Sequence, residues 1–190
     1  QMRIELVRLQ QEVGITSIYV THDQTEALVM SDRVVVMNQG LIQQIDSPET
    51  IYANPSNSFV ANFIGVANLI EGLFLSRSGQ IADAEFPFTE GGESLHLRAI
   101  GAETATKGQR VILCIRPEDI TLSLENPGEG TLNVLSGEII DTVYQGNFLD
   151  CQVRVGSDEI AVQMSHFEQL SSGQRVYLTF SPEHALLLTE

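Results

Sequence analysis

The stretch GITSIYVTHDQTEA, residues 14–27, carries the pattern that decides the fold of the N-terminal part of the chain. Gly14 is typical of the residue that follows a helix, and the β-branched, apolar run 15–20 predicts a buried strand. Asp23, with Glu26 three residues later, predicts a capping box and a helix over 24–30. A helix, a glycine turn, a buried strand and another helix are typical of an α/β domain.

His22 is the candidate site residue of this stretch, because it lies between the predicted strand and the predicted helix. Ligands of open α/β sheets bind beyond the carboxyl ends of the strands. A histidine at that place can donate a hydrogen bond to a phosphate oxygen or to an attacking water. The alternative is a loop histidine that only fixes the turn.

The residues on either side extend the α/β pattern. Upstream, Met2, Leu6, Leu9 and Val13 recur at helical spacing, with no leader before them. Downstream, the sequence predicts a strand over 33–37, a hairpin turn at 38–40, a returning strand over 41–45, a helix that begins at Ser47-Pro48, and a helix over 58–64. A complete α/β domain needs more such units, so we expect residues 1–65 to be the end of a larger domain.

Composition limits the classes of function. The chain has 190 residues, of which 43% are hydrophobic and 18% charged, which is typical of a globular protein. Its 25 acidic and 10 basic residues give a net charge of −15, which disfavours nucleic acid and anionic lipid as partners. No run of about 18 apolar residues predicts insertion into a membrane. The two cysteines, Cys114 and Cys151, lie in apolar runs and are interpreted as buried small hydrophobic residues.

The second part of the chain repeats itself at an offset of 65 residues. GQRV at 108–111 matches GQRV at 173–176, and Pro117-Glu118 matches Pro182-Glu183. Asn68 and Gly72 match Asn133 and Gly137 in the same way. The repeat units therefore span about 68–132 and 133–190. Strand-like runs over 110–116, 138–144, 149–155, 159–164 and 175–180, with hairpin turns near 76–79 and 144–147, predict two small β-barrels.

Residues 1 to about 72 resemble the C-terminal end of an ABC-transporter nucleotide-binding domain of the importer type. The resemblance is carried by GITSIYVTHDQTEA (14–27), SDRVVVMNQG (31–40), SPETIYANP (47–55) and FVANFIG (59–65). It implies that His22 is the switch histidine, which contacts the γ-phosphate and the attacking water of ATP. Asp46 stands where the family commonly has glycine, and we expect the same turn because aspartate tolerates left-handed backbone angles.

The family's other ATPase motifs do not occur in the sequence. No G-x-x-x-x-G-K-[ST] phosphate loop is present, and Gly128-Glu129-Gly130 lacks the lysine and the hydroxyl residue. Phosphoryl transfer needs that lysine and magnesium. The resemblance implies ATP and Mg²⁺ as cofactors of an intact protein, and this chain alone, with no cofactor or metal site of its own, is expected to be inactive.

The second part resembles the paired OB-like barrels of the TOBE region that follows this domain in importer ATPases. IRPEDI (115–120) and GEIIDTVYQG (137–146) carry the likeness. It implies homodimerisation and a site for a small-molecule or protein regulator. Arg116, Glu118 and Asp119 are the candidate contacts, with a salt link at a strand end as the alternative. Residues 66–190 hold 18 acids and 7 bases, which excludes nucleic acid despite the barrel fold. His96, His166 and His184 share no metal-ligand spacing.

We therefore predict an α/β fragment (1–65) followed by an all-β domain of two OB-like barrels (66–190). The function implied is the energy-coupling subunit of an importer ATPase, a homodimer that works with membrane permease subunits. It would be cytoplasmic and peripheral on the inner face of the membrane. The resemblance is to polyamine-type or ferric-iron-type importers, with sugar importers next, so a polyamine or ferric iron is the expected transported substrate. The alternative is a stand-alone β-barrel module that senses a ligand or docks a protein, without ATPase activity.

Overall fold

The computed structural model describes residues 2–87, 94–128, 130, 133–165 and 170–189. The chain divides into two units, Gln1–Gly65 and Val66–Glu190. Unit 1 holds four helices and a hairpin in its described residues, and unit 2 is built from β-strands. None of the described helices is both long and apolar enough to cross a membrane.

Unit 1 begins with the predicted helix and ends with two short helices around a small core. Its elements are α1 (Met2–Val13), α2 (Gln24–Met30), β1 (Val34–Asn38), β2 (Leu41–Asp46), α3 (Pro48–Ala53) and α4 (Ser58–Ile64). Ser47 caps α3, with Pro48 in its first turn, as the sequence predicts. The buried residues of unit 1 that pack together are Val34, Val36, Ile51, Val60 and Ile64. No residue of α1 is buried, so its apolar stripe faces outward.

The run 15–20 does not form the buried strand that its β-branched residues predict. It has no regular secondary structure, and Ile18 and Val20 are 93% and 90% exposed. A parallel-type strand needs neighbours for its backbone hydrogen bonds and cover for both faces. In the described residues of unit 1, β1 and β2 pair only with each other, so the run has no neighbouring strand.

The hairpin of unit 1 forms as predicted, with one correction at its end. β1 and β2 pair from Asn38–Leu41 to Val34–Asp46, and the two-residue loop places Gln39 and Gly40 at φ of 50° and 81°. Asp46 does not need the left-handed backbone that we expected from the family glycine. It closes β2, and its carboxylate accepts a hydrogen bond from the Ser47 N–H at 3.1 Å.

Unit 2 contains two five-stranded sheets. Its strands are β3 (Asn68–Ser78), β4 (Ile81–Phe86), β5 (Leu95–Gly101), β6 (Arg110–Ile115), β7 (Thr121–Ser123), β8 (Val134–Tyr144), β9 (Leu149–Val155), β10 (Asp158–Met164), β11 (Arg175–Thr179) and β12 (Ala185–Leu188). The first sheet closes as a barrel in the order β12-β5-β4-β3-β6, and the second has the order β10-β9-β8-β11-β7. The predicted hairpin near 76–79 turns two residues later, because Ser78 pairs with Ile81.

The two repeats exchange their last strands. β7, from the first repeat, pairs with β11 of the second, and β12, from the second repeat, pairs with β6 of the first. The pairs Leu122–Leu178 and Leu187–Leu113 are the same pair displaced by 65 residues. Each crossing passes through a 3₁₀ turn, Pro117–Asp119 or Pro182–His184. The boundary between the sheets therefore does not coincide with the boundary between the repeats.

The closure of the first barrel comes from β12, which also pairs with β5 through Leu186–Ile100 and Leu187–Gly101. The second sheet shows no matching pair between β7 and β10 in the described residues. The positions equivalent to Ile100 and Gly101 are Ser165 and His166, and His166 lies outside the described residues. The described part of unit 2 is thus one closed barrel and one open barrel-like sheet.

Repeated residues make the same close contacts in both sheets. A Cβ on Gly72 would meet the ring of buried Phe86, and one on Gly137 would lie 2.6 Å from the Arg154 carbonyl oxygen. Gly108 and Gly173 have φ of 83° and 82° and donate to the carbonyls of Phe74 and Ile139. The glycines of the repeat are therefore required by close strand approach and by turn geometry.

Candidate functional site

The loop that carries His22 is held by hydrogen bonds on both sides of the histidine. The Thr21 hydroxyl accepts from the Asp23 N–H at 2.9 Å and donates to the Glu26 carboxylate at 2.9 Å. Asp23 caps α2, because its Oδ1 accepts from the Glu26 N–H at 3.0 Å. The other oxygen of Asp23 accepts from Arg3 of α1, also at 3.0 Å.

The capping box that the sequence predicts is only half formed. Asp23 provides its part, but the Glu26 carboxylate accepts from the Thr21 and Tyr19 hydroxyls, the latter at 3.1 Å. This hydrogen bond to Glu26, together with the negative charge of that carboxylate, raises the pKa of the Tyr19 phenol. The Glu26 side chain thus fixes the segment before the histidine.

The His22 side chain itself is exposed, and its ring has no hydrogen-bond partner in the described part of the chain. An imidazole on a fixed loop with both nitrogens free can donate a hydrogen bond to an anionic oxygen or orient a water molecule. The geometry places His22 at a loop end before α2, as the sequence predicts, although the preceding strand is not formed.

The second set of candidate residues does not converge on an open site. Arg116 is 6% exposed, and its Nη1 donates to the Val66 carbonyl at 3.0 Å. Asp119 lies 3.5 Å from the His184 Nδ1, while Glu118 is exposed. Burial raises the pKa of the Asp119 carboxyl, and the nearby His184 opposes that rise. Asp119 and His184 occupy equivalent positions of the two repeats, each at the end of a 3₁₀ turn.

Other side chains named by the sequence lie apart from these two places. His96 is exposed on β5, and no group of His, Cys, Asp or Glu among the described residues is arranged to hold a metal ion. Cys114 and Cys151 are buried and unpaired, and burial raises the pKa of both thiols. A raised thiol pKa disfavours the reactive thiolate.

Asn68 and Asn133 are equivalent positions of the two repeats, but the sequence alone assigned them no role. The Asn68 side chain donates to the Ala161 carbonyl and accepts from its N–H, both at 2.8 Å. Asn133 makes the same pair with Arg98, at 2.8 and 2.7 Å. Asn68 in β3 thus joins the first sheet to β10, an edge strand of the second sheet, and Asn133, just before β8, joins the second sheet to β5 of the closed barrel. The only sequence signal for a role of these two asparagines was that they recur at the same position of the internal repeat.

The similarity to known proteins defines a class. Residues 113–188 match the TOBE domain family. Over 99% of its length the chain is related to import ATP-binding proteins, and it spans about half the length of the curated relatives it matches. The chain is therefore similar to about half of an import ATP-binding protein, and it contains a region that matches the TOBE domain family.

The relatives that we compare with the chain are named as PotA proteins. The chain is 39% identical over 192 residues to the spermidine/putrescine import ATP-binding protein PotA of Rubrobacter xylanophilus, covering 49% of that protein. It is 36% identical over 192 residues to PotA of Thermobifida fusca, covering 98% of this chain and 48% of that protein. It is 43% identical over 159 residues to PotA 1 of Pseudomonas aeruginosa, covering 84% of this chain and 40% of that protein.

One solved structure shows the same fold at low identity. A crystal structure of the cytoplasmic molybdate-binding protein ModG matches with a TM-score of 0.53 and 14% identity. The match covers 65% of this chain and 96% of the ModG chain. At that identity the likeness concerns the fold alone.

Proposed function

We propose that this chain is part of the ATP-binding, energy-coupling subunit of an ABC importer and that His22 is its switch histidine. The observation that carries the proposal is the similarity to import ATP-binding proteins, which runs through both units. Unit 1 would then be the end of an α/β nucleotide-binding domain. The names of the relatives favour a polyamine as the transported substrate over ferric iron or sugar.

The role of His22 rests on its fixed loop and free imidazole. In the working enzyme it would donate a hydrogen bond to the γ-phosphate or hold the attacking water, while ATP and Mg²⁺ are bound by residues that this chain does not contain. Arg3, Thr21 and Glu26 would keep the loop in place, through their bonds to Asp23 and α2. The histidine would thus act mainly in the transition state.

The proposal is tested by ATP hydrolysis in a longer protein that contains this chain. His22→Ala should remove turnover and leave ATP binding in place, whereas the 190-residue chain alone should not hydrolyse ATP. Equal turnover in the wild type and in His22→Ala would contradict the assignment. The subunit would work with membrane permease subunits, peripheral on the cytoplasmic face of the membrane.

Unit 2 would form the homodimer contact and would be the place for a small-molecule or protein regulator. The net charge of −15 opposes association of two copies, but screening over about 8 Å at physiological salt leaves local contacts to decide. Arg110, Arg154 and Arg175 are exposed cations that can pair with acids of a second copy.

Light scattering of this chain at low and high salt measures the association. We expect a dimer at micromolar protein, strengthened by salt if repulsion limits it. A strict monomer at high micromolar protein under both conditions would contradict the dimer.

A further inference from the structure

Arg116 is a buried cation whose position points to a role at the junction of the two units. It follows the last residue of β6, and its Nη1 donates to the Val66 carbonyl at 3.0 Å. Val66 is the first residue of unit 2. The β3–β6 ladder ends at the pair Asn68–Ile115, so the arginine side chain continues the attachment past the end of the ladder.

Burying a guanidinium costs free energy unless hydrogen bonds and a counter-charge offset the loss of water. Burial raises the pKa of the nearby Asp119 carboxyl, and the charges of His184 and Arg116 oppose that rise, so this carboxylate lies close enough to interact with the Arg116 charge. A charge held at this cost, with a hydrogen bond to a backbone carbonyl outside any strand, is suited to fixing that backbone.

The short connection between α4 and β3, residues 65–67, is held by hydrogen bonds near the end that leads into β3. α4 ends at Ile64, and Gly65 follows with an extended backbone, φ 173° and ψ −179°. Val66 is bonded to Arg116, and the Asn68 side chain is bonded to Ala161 in the second sheet. Ala67 therefore lies between two anchored residues, and Gly65 lies outside them.

We propose that Arg116 is a positioning residue that fixes the segment Val66–Ala67 to unit 2. The proposal goes beyond the proposed function, because it assigns Arg116 to the connection rather than to a ligand. It does not depend on ATP hydrolysis or on the identity of the substrate. Any event that displaces Arg116, at the start of the first 3₁₀ turn, would release the segment.

Nuclear magnetic resonance of the wild-type chain tests the contact directly. A through-bond correlation across the hydrogen bond should connect an Arg116 guanidinium nitrogen with the Val66 carbonyl carbon, and that guanidinium should exchange slowly with water. A wild-type chain with no such correlation and a rapidly exchanging Arg116 guanidinium would overturn the proposal.

Amide hydrogen exchange in Arg116→Met separates a local role from a general one. This variant should exchange the junction amides, meaning those at the start of β3 that the ladder with β6 protects, at least about tenfold faster, with changes below about twofold in β8 and β9. Arg98→Met is the matched control, because Arg98 lies in the same barrel, is half exposed and pairs with Asp83. It should leave the junction amides unchanged.

Two results of the exchange experiment would overturn the proposal. One is unchanged exchange at the junction in a folded Arg116→Met chain. The other is an equal rise throughout unit 2, which would make Arg116 a residue of general stability only. If Arg116→Met does not fold, Arg116→Lys, which keeps the buried charge but loses the planar fork, replaces it with the same expected pattern.

Discussion

The side chains of Asn68 and Asn133 make the backbone hydrogen bonds that a neighbouring strand would otherwise make. Each side-chain amide pairs with both backbone groups of a residue in the other sheet, Ala161 or Arg98, and both asparagines are 6% exposed. A side-chain amide has one acceptor and two donor hydrogens, so it can match a strand edge at one position. The sequence shows that these residues recur, but the partners lie 93 and 35 residues away and are set only by the fold.

Replacing either asparagine by alanine should destabilise unit 2. Loss of the amide leaves a backbone N–H and a carbonyl without their partner, which costs about 2 kcal/mol or more for the pair of groups. Chemical denaturation followed by circular dichroism measures this change in the free energy of unfolding. Asn147→Ala, at an exposed hairpin position, is the control and should change it by less than about 0.5 kcal/mol. Equal stability of all three variants would contradict the proposed joining role.

His22 and Arg116 illustrate what can be predicted at this scale. The loop position of His22 follows from local patterns, because caps and helix starts depend on residues close in sequence. The burial of Arg116 and its bond to Val66 do not, because they depend on a contact across 50 residues. A ligand contact at Arg116, Glu118 and Asp119 stays a prediction, and the structure adds that the arginine is buried while Glu118 is exposed.

Five strands of unit 2 were predictable because their signals are local and repeated, whereas the sequence analysis assigned no range to β3, β4, β5, β7 and β12. Alternating apolar residues, glycine turns and the 65-residue offset locate β6 and β8 to β11 within a few residues. The prediction of a buried strand over residues 15–20 was wrong, because a strand depends on more than local signals. The β-branched residues of this run favour a strand, but a strand also needs partners, and the described part of unit 1 supplies none.

Gly72→Ala tests the close approach of β3 to β4. In most strands a glycine-to-alanine change is stabilising, because glycine loses more backbone entropy on folding. Here the new methyl group would meet the buried Phe86 ring and the Glu85 carbonyl oxygen, 2.7 Å away. We therefore expect a loss of about 1–3 kcal/mol in the free energy of unfolding, typical of overpacking.

Ser78→Ala, at an exposed position of the same strand, provides the control for that measurement and should be near neutral. A Gly72→Ala chain as stable as the wild type, or more stable, would show that the strands do not approach as closely as described.

At the scale of the whole molecule, the exchange of β7 and β12 makes each repeat depend on the other. Because the repeat units are contiguous, the sequence predicts that residues 133–190 form one barrel. The pairing assigns Ala185–Leu188 to the barrel of the first repeat instead. Sequence periodicity locates strands but carries no information on which sheet receives them, so this feature could not be predicted from local patterns.

Leu187→Ala and Leu122→Ala, at equivalent positions, should each disturb the sheet of the other repeat. Both leucines are buried, and truncation of a buried leucine costs about 2–5 kcal/mol. In hydrogen exchange, Leu187→Ala should loosen β5 and β6 first, and Leu122→Ala should loosen β11 first. If Leu187→Ala instead loosened β9 and β10 and spared β5 and β6, the strand exchange would be wrong.

The central proposal is that this chain belongs to an importer ATPase in which His22 acts during hydrolysis. Its most direct test is magnesium-dependent ATP turnover by a longer protein that contains the chain, measured for the wild type, for His22→Ala and for the exposed β5 control His96→Ala. We predict that His22→Ala lowers turnover by about a hundredfold or more with little change in ATP affinity, because it removes one transition-state hydrogen bond. The His96→Ala protein should keep wild-type turnover. Near-normal turnover in His22→Ala, or loss of ATP binding in its place, would contradict the account.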